Sequence, residues 1–213
     1  AGVVPSDQWR CECTQAEPGN FVDLDGATGQ TPCPTGAYQS DTGSSGCEQA
    51  PEGQVVSADG TSTSPCPAGK YQPGDQPSCL QASPGHFVSE PGSSEQTPCE
   101  TGNYQPDAGQ TACLAASPGN FVPSTGSSSQ TACSKGTFQS SEGQTGCSDA
   151  MPGHHVPEEG ALSQTTCGVG TYQPESGSGG CLDATAGNFV GQPGSPAQTP
   201  CQPGSFQPQS GMS

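Results

Sequence analysis

Apolar side chains along this chain are sparse and evenly spaced. An aromatic residue returns about every 17 positions, usually followed by Val or Gln, and the stretches between are Gly, Pro, Ser, Thr and Gln. No segment repeats apolar residues at helical spacing, so almost no helix is expected. Short runs such as Asn120-Phe121-Val122 and Thr171-Tyr172-Gln173 lie between Gly and Pro and suit strands of two to four residues.

The spacing defines a register. With a Cys or Ala as position 0, Gly stands at +3, an aromatic at +5, Gly at +10, and Cys or Gln at +14. Cys133, Gly136, Phe138, Gly143 and Cys147 form one such half; Ala116, Gly119, Phe121, Gly126 and Gln130 form the other. A cysteine half and an alanine half make a repeat of 34 residues, shortened to 32 between Cys47 and Cys79. About six repeats fill residues 13–213, and residues 1–12 form an off-register N-terminal segment. All twelve +3 positions are Gly, from Gly19 to Gly204. This predicts turns that need positive φ, or a backbone close enough for a neighbour to stack. Every Phe and Tyr occupies +5: Phe21, Tyr38, Tyr71, Phe87, Tyr104, Phe121, Phe138, Tyr172, Phe189 and Phe206, with Val55 and His155 in the two remaining places. Each half has little else to bury, so these rings are expected to form a structural ladder packed against neighbouring halves, in modules stacked along a line.

At +6 the cysteine halves carry Gln39, Gln72, Gln105, Gln139, Gln173 and Gln207, whereas the alanine halves carry Val. Two readings follow for these amides: a hydrogen-bonded ladder across stacked copies, or a solvated edge.

Cysteines at 0 and +14 are gained and lost together. Joint loss favours five short loops, Cys33–Cys47, Cys66–Cys79, Cys99–Cys113, Cys133–Cys147 and Cys167–Cys181. Chain-entropy models value a loop of this size at roughly 3 kcal/mol. A rival scheme spans the longer intervals, from Cys13–Cys33 and Cys47–Cys66 to Cys181–Cys201. In the short-loop scheme Cys11, Cys13 and Cys201 lack partners at this spacing. One reading has Cys201 of one copy bonding Cys11 or Cys13 of the next in an open filament, with Trp9 and Arg10, the only Trp and Arg, in the plug. The other readings are an excerpt of a longer array, free thiols, or a Cys11–Cys13 bridge. The opening Ala1-Gly2-Val3-Val4 is read likewise, as a mature N-terminus behind a cleaved signal or as part of something longer.

Composition narrows the class. The 213 residues include 32 Gly and 23 Pro, only 28% are hydrophobic, and 3 Lys and Arg face 20 Asp and Glu for a formal charge of −17. Without its 13 cysteines such a chain would be disordered. Covalent staples replace the core, which places the protein in an oxidising, extracellular or cell-surface setting. The charge opposes nucleic acid, and no apolar run approaches the roughly 20 residues of a membrane span. The expected fold is therefore small, disulfide-rich and mostly irregular with short β-strands, drawn out as an elongated solenoid-like rod.

The strings Cys33-Pro34-Thr35-Gly36-Ala37-Tyr38-Gln39 and Cys66-Pro67-Ala68-Gly69-Lys70-Tyr71-Gln72, each followed by a second Cys, resemble ephrin-receptor-like cysteine-rich repeats. They also resemble the first, single-disulfide module of tumour-necrosis-factor-receptor repeats. The resemblance covers about residues 13–213 and implies the short-loop pairing and an elongated extracellular rod. The doubly bridged second module of those receptors is missing here.

Candidate chemistry is thin. His154 and His155 are adjacent and His86 is remote; His155 is read as a substitute for the +5 aromatic. Asp23-x-Asp25-Gly26 resembles the start of a calcium loop, but the next residues lack the required oxygens. No metal, cofactor or catalytic set is expected, and the chain is read as no enzyme. Hydroxyl-rich turns, above all Ser124, Thr125, Ser127, Ser128 and Ser129, are candidate O-glycosylation sites. The expected role is a structural subunit of an extracellular fibre or surface appendage, partnered by copies of itself and by O-linked glycans. The alternative is the stalk or ectodomain of a receptor or adhesin.

Overall fold

The structure, a computed structural model, describes residues 13–74 and 76–212. Among the described residues there is no helix, and the strands are two or three residues long, joined in two-stranded sheets. Each half from Ala16 to Ala184 is one β-hairpin. In the 17-residue halves the +4 and +5 residues pair antiparallel with +16 and +15, as in Asn120↔Ala132 and Phe121↔Thr131, or Thr137↔Asp149 and Phe138↔Ser148; in the shortened half starting at Ala50 the partners fall one residue earlier, Gln54↔Pro65 and Val55↔Ser64. The hairpin opens through a tight turn. Asn120 N–H donates to Ser117 O across Pro118 and Gly119, and Gly119 has φ of 82°. Pro followed by a Gly of positive φ is the signature of a type II turn. The ladder then runs one residue further, where Cys133 N–H donates to Gly119 O at 2.8 Å.

The chain divides into two compact units, one of residues up to Leu80 with Glu90–Glu95, the other of Gln81–Ser89 with Gln96 onward. Within the second unit, consecutive halves are laced by main-chain bonds at fixed positions. Between the halves starting at Ala116 and Cys133, Gly119 N–H donates to Gln139 O (2.7 Å), Val122 N–H to Gln144 O (2.9 Å), and Gly143 N–H to Ala116 O (2.8 Å). The same three bonds recur one half later as Gly136 to Val156, Gln139 to Ala161, and Gly160 to Cys133. In the first unit Gly19 donates to Gln39, Val22 to Ser44 and Gly43 to Ala16. Because these bonds use main-chain groups, they are indifferent to whether a half carries cysteine or alanine.

Halves two apart also touch. A Cβ on Gly119 would overlap the Gly160 carbonyl oxygen, and the same holds for Gly136 against Gly177 and, in the first unit, for Gly53 against Gly92. The +3 position thus has two separate reasons for Gly, a left-handed φ and contact with the second half along. Cysteine halves therefore meet cysteine halves, and alanine halves meet alanine halves.

The interior corrects one expectation. The fully buried side chains are not the aromatic rings but the residues at 0 and +6. Cys99, Ala116, Val122, Cys133, Ala150, Val156, Cys167 and Ala184 all have no solvent exposure. The rings of Phe21, Tyr38, Tyr71, Phe87, Tyr104, Phe121, Phe138, Tyr172 and Phe189 are half-buried, and Phe206 is 86% exposed.

Candidate functional site

The chemistry-bearing feature of this fold is the way its loops are closed, which alternates from half to half. Disulfides join Cys33 to Cys47, Cys66 to Cys79, Cys99 to Cys113, Cys133 to Cys147 and Cys167 to Cys181, with Cα–Cα separations of 5.7–5.8 Å. The longer intervals of the rival scheme are not bridged. In the cysteine halves the +6 glutamine points into its own loop. Gln105 is 4% exposed; its Nε2 donates to Ala112 O (2.8 Å) and its Oε1 accepts from Asp107 N–H (3.1 Å). Gln39 makes the same pair of bonds to Gly46 O and Asp41 N–H, and Gln173 to Gly180 O and Glu175 N–H. Neither an amide ladder between copies nor a solvated edge is what these residues form. They hold main-chain groups of their own loop, with the amide rather than the main chain buried.

Alanine halves are closed by a different glutamine. Gln130 Oε1 accepts from Ser117 N–H at 2.8 Å, spanning the loop that a disulfide would span. Gln30 does the same to Glu17, Gln96 to Ser83, Gln164 to Met151 and Gln198 to Thr185, at 2.7–2.8 Å. With Ala at 0 there is room for the long side chain to reach one residue past it. The shortened half starting at Ala50 lacks this glutamine, and there Thr63 Oγ1 donates to Gln54 Oε1 at 2.6 Å. Its turn is tied through Asp59, whose carboxylate accepts from the Ser57 hydroxyl and from the Thr61 hydroxyl and N–H. The Ser57 hydroxyl first, and the two Thr61 donors next, hold that carboxyl below its ordinary range. At Tyr38 the phenol donates to Glu48 Oε2 across the strand pair (3.2 Å), and this bond, with the carboxylate charge, raises the phenol pKa.

The remaining candidates are scattered. Cys13 is exposed and Cys201 half-buried, and neither is in a disulfide among the described residues. Trp9, Arg10 and Cys11 lie outside the described residues. Ser124, Thr125, Ser128 and Ser129 are exposed, whereas Ser127 is half-buried and its hydroxyl donates to Ser124 O. His155 stands beside a disulfide: its ring nitrogen and the sulfurs of Cys167 and Cys181 lie within 4.8 Å of one another. Bonded to each other, those sulfurs are not thiolates, and this trio offers a metal one imidazole only. Sequence reasoning missed both glutamine roles, although the exchange of Cys for Gln at +14 in five of the six alanine halves was a signal in plain view.

Residues 92–133 match the family model described as tyrosine-protein kinase ephrin type A/B receptor-like. This stretch is an ephrin-receptor-like cysteine-rich repeat. It spans the Cys99–Cys113 loop and the alanine half closed by Gln130. The register it contains recurs through residues 13–212, so the ephrin-receptor-like pattern is repeated in tandem. No curated protein matches the sequence. Ephrin-receptor-like repeats with this density of disulfides are extracellular in character. Among the described residues, no helix is long and apolar enough to cross a membrane.

Proposed function

We propose that the chain is a non-catalytic structural subunit of an extracellular fibre or surface appendage, built by stacking ephrin-receptor-like halves. The observation that carries this reading is the main-chain lacing, Gly119 to Gln139, Val122 to Gln144 and Gly143 to Ala116, repeated at the same positions in successive halves. A bonding pattern that ignores side-chain identity joins any half to any other, including a half of a second copy. Cys201 and Cys13 supply thiols for covalent locking between copies, and O-linked sugar on Ser124, Thr125, Ser128 and Ser129 coats the surface. Ser127, whose hydroxyl is engaged, is the poorest acceptor of the five.

The test is electron microscopy and sedimentation of the oxidised chain over a range of concentrations. Filaments, with a ladder of multimers on non-reducing gels that collapses with reductant, are expected. A monomer at every concentration contradicts the proposal. Intact mass above that of the bare chain tests the glycans.

A second reading, the ectodomain or stalk of a receptor or adhesin, is favoured by the family match over residues 92–133. Isolated particles of one length that bind a protein ligand would select it.

A further inference from the structure

In the five alanine halves from Ala16 to Ala150 the +5 side chain corresponds in register to the +14 cysteine of the following half. Phe87 and Cys113 illustrate the pairing, lining one shallow depression with Glu100, Asn103 and Ala112. For the five disulfides the +5 residues in this relation are Phe21, Val55, Phe87, Phe121 and His155. Four are apolar. The fifth places an imidazole against sulfur, with His155 Nδ1 3.1 Å from Cys181 Sγ. His155 and Cys181 are both half-buried, whereas Cys167 is fully buried.

From this geometry we infer that the Cys167–Cys181 disulfide is a thiol–disulfide exchange site, opened by small extracellular thiols more readily than the other four. A thiolate RS⁻ attacks the Sγ of Cys181, the less buried half of the cystine. The S–S electron pair leaves with the buried Cys167 sulfur, and Cys181 carries the mixed disulfide. A second RS⁻ attacks the R-group sulfur, releasing RSSR and the Cys181 thiolate. The two electrons that reduce the cystine come from the two thiols, and the two protons they lose end on Cys167 and on the His155 ring. Imidazolium next to thiolate is the arrangement that lowers a thiol pKa from about 8.5 to about 7 or below, so His155 favours the opened form. The oxidised form gains little from the same ring, since a disulfide sulfur is a weak acceptor. At the other four sites Phe or Val gives an opened thiolate no such partner.

The experiment equilibrates the full-length oxidised chain in glutathione buffers of graded reducing strength, alkylates free thiols and maps them by mass spectrometry. Cys167 and Cys181 should be alkylated at a reducing strength on the order of tenfold milder than the other pairs require, and limiting labelled glutathione should be found on Cys181. In His155→Phe, which restores the ring used at Phe121, the pair should open together with the rest. Phe87→His should transfer the lability to Cys99–Cys113, which separates the effect of the imidazole from local differences in loop stability. Simultaneous opening of all five, later opening of Cys167–Cys181, or an order unchanged in His155→Phe overturns the inference.

Discussion

Gln130 Oε1 accepts a hydrogen bond from the Ser117 backbone N–H at 2.8 Å, closing by an amide the loop that Cys133 and Cys147 close by sulfur in the next half. The two closures are interchangeable because the hairpin around them is the same, with strand +4/+5 paired to +15/+16 in both. Ala at 0 and Gln at +14 are therefore a matched pair. So are Cys and Cys; a mixed combination forms no disulfide.

Replacing both members should convert one closure into the other. The double variant Ala116→Cys/Gln130→Cys is expected to form a sixth short-loop disulfide on oxidation and to stabilise the chain by roughly 3 kcal/mol in the chain-entropy account. The single Gln130→Ala change should cost about 1 kcal/mol and speed hydrogen exchange at the Ser117 amide. Thermal unfolding and exchange measurements on the oxidised variants read both effects.

Glycine at +3 answers two demands at once. Gly119→Ala meets a φ of 82° and an overlap with the Gly160 carbonyl oxygen, and should destabilise by more than about 1 kcal/mol. Gly146 has nothing within 4 Å of a would-be Cβ, and Gly146→Ala should stay within about 0.5 kcal/mol of the parent. Denaturant midpoints for the pair provide the comparison.

Gln105 is a buried polar residue with both ends of its amide engaged, by Ala112 O and Asp107 N–H. Gln105→Leu removes both bonds to the loop main chain, each worth about 0.5–1.5 kcal/mol, with an expected loss of about 1–3 kcal/mol despite the more apolar side chain. Exchange of the Asp107 amide should accelerate selectively.

The period, the hairpin turns and the absence of helix among the described residues were legible in the sequence because each rests on local chemistry. Pro118-Gly119 dictates a turn wherever it stands, and Phe121 between turn residues dictates a short strand. The interior was not legible. Val122 and Ala116 look too small to be a core, and Gln105 looks like surface, yet all three are buried. The Gln130 clasp joins residues thirteen apart, which no helical or strand periodicity marks; only its exchange with cysteine points to it.

Asp59 makes one turn sensitive to acid. The Ser57 hydroxyl and the Thr61 donors depress its carboxyl pKa in the folded chain. Its contribution is thus present in full above the unfolded carboxyl value and is lost as pH falls through the depressed folded value. Exchange at the Thr61 amide should rise on acidification through that window, and Asp59→Asn should abolish the pH dependence.

Loops locked in alternation, by sulfur in one half and by glutamine in the next, require one set of covalent links. Mass mapping of peptides from the unreduced protein is the direct measurement. Fragments joined through Cys33–Cys47, Cys66–Cys79, Cys99–Cys113, Cys133–Cys147 and Cys167–Cys181 are the predicted result. Links over the intervening stretches, such as Cys47–Cys66 or Cys113–Cys133, would contradict it.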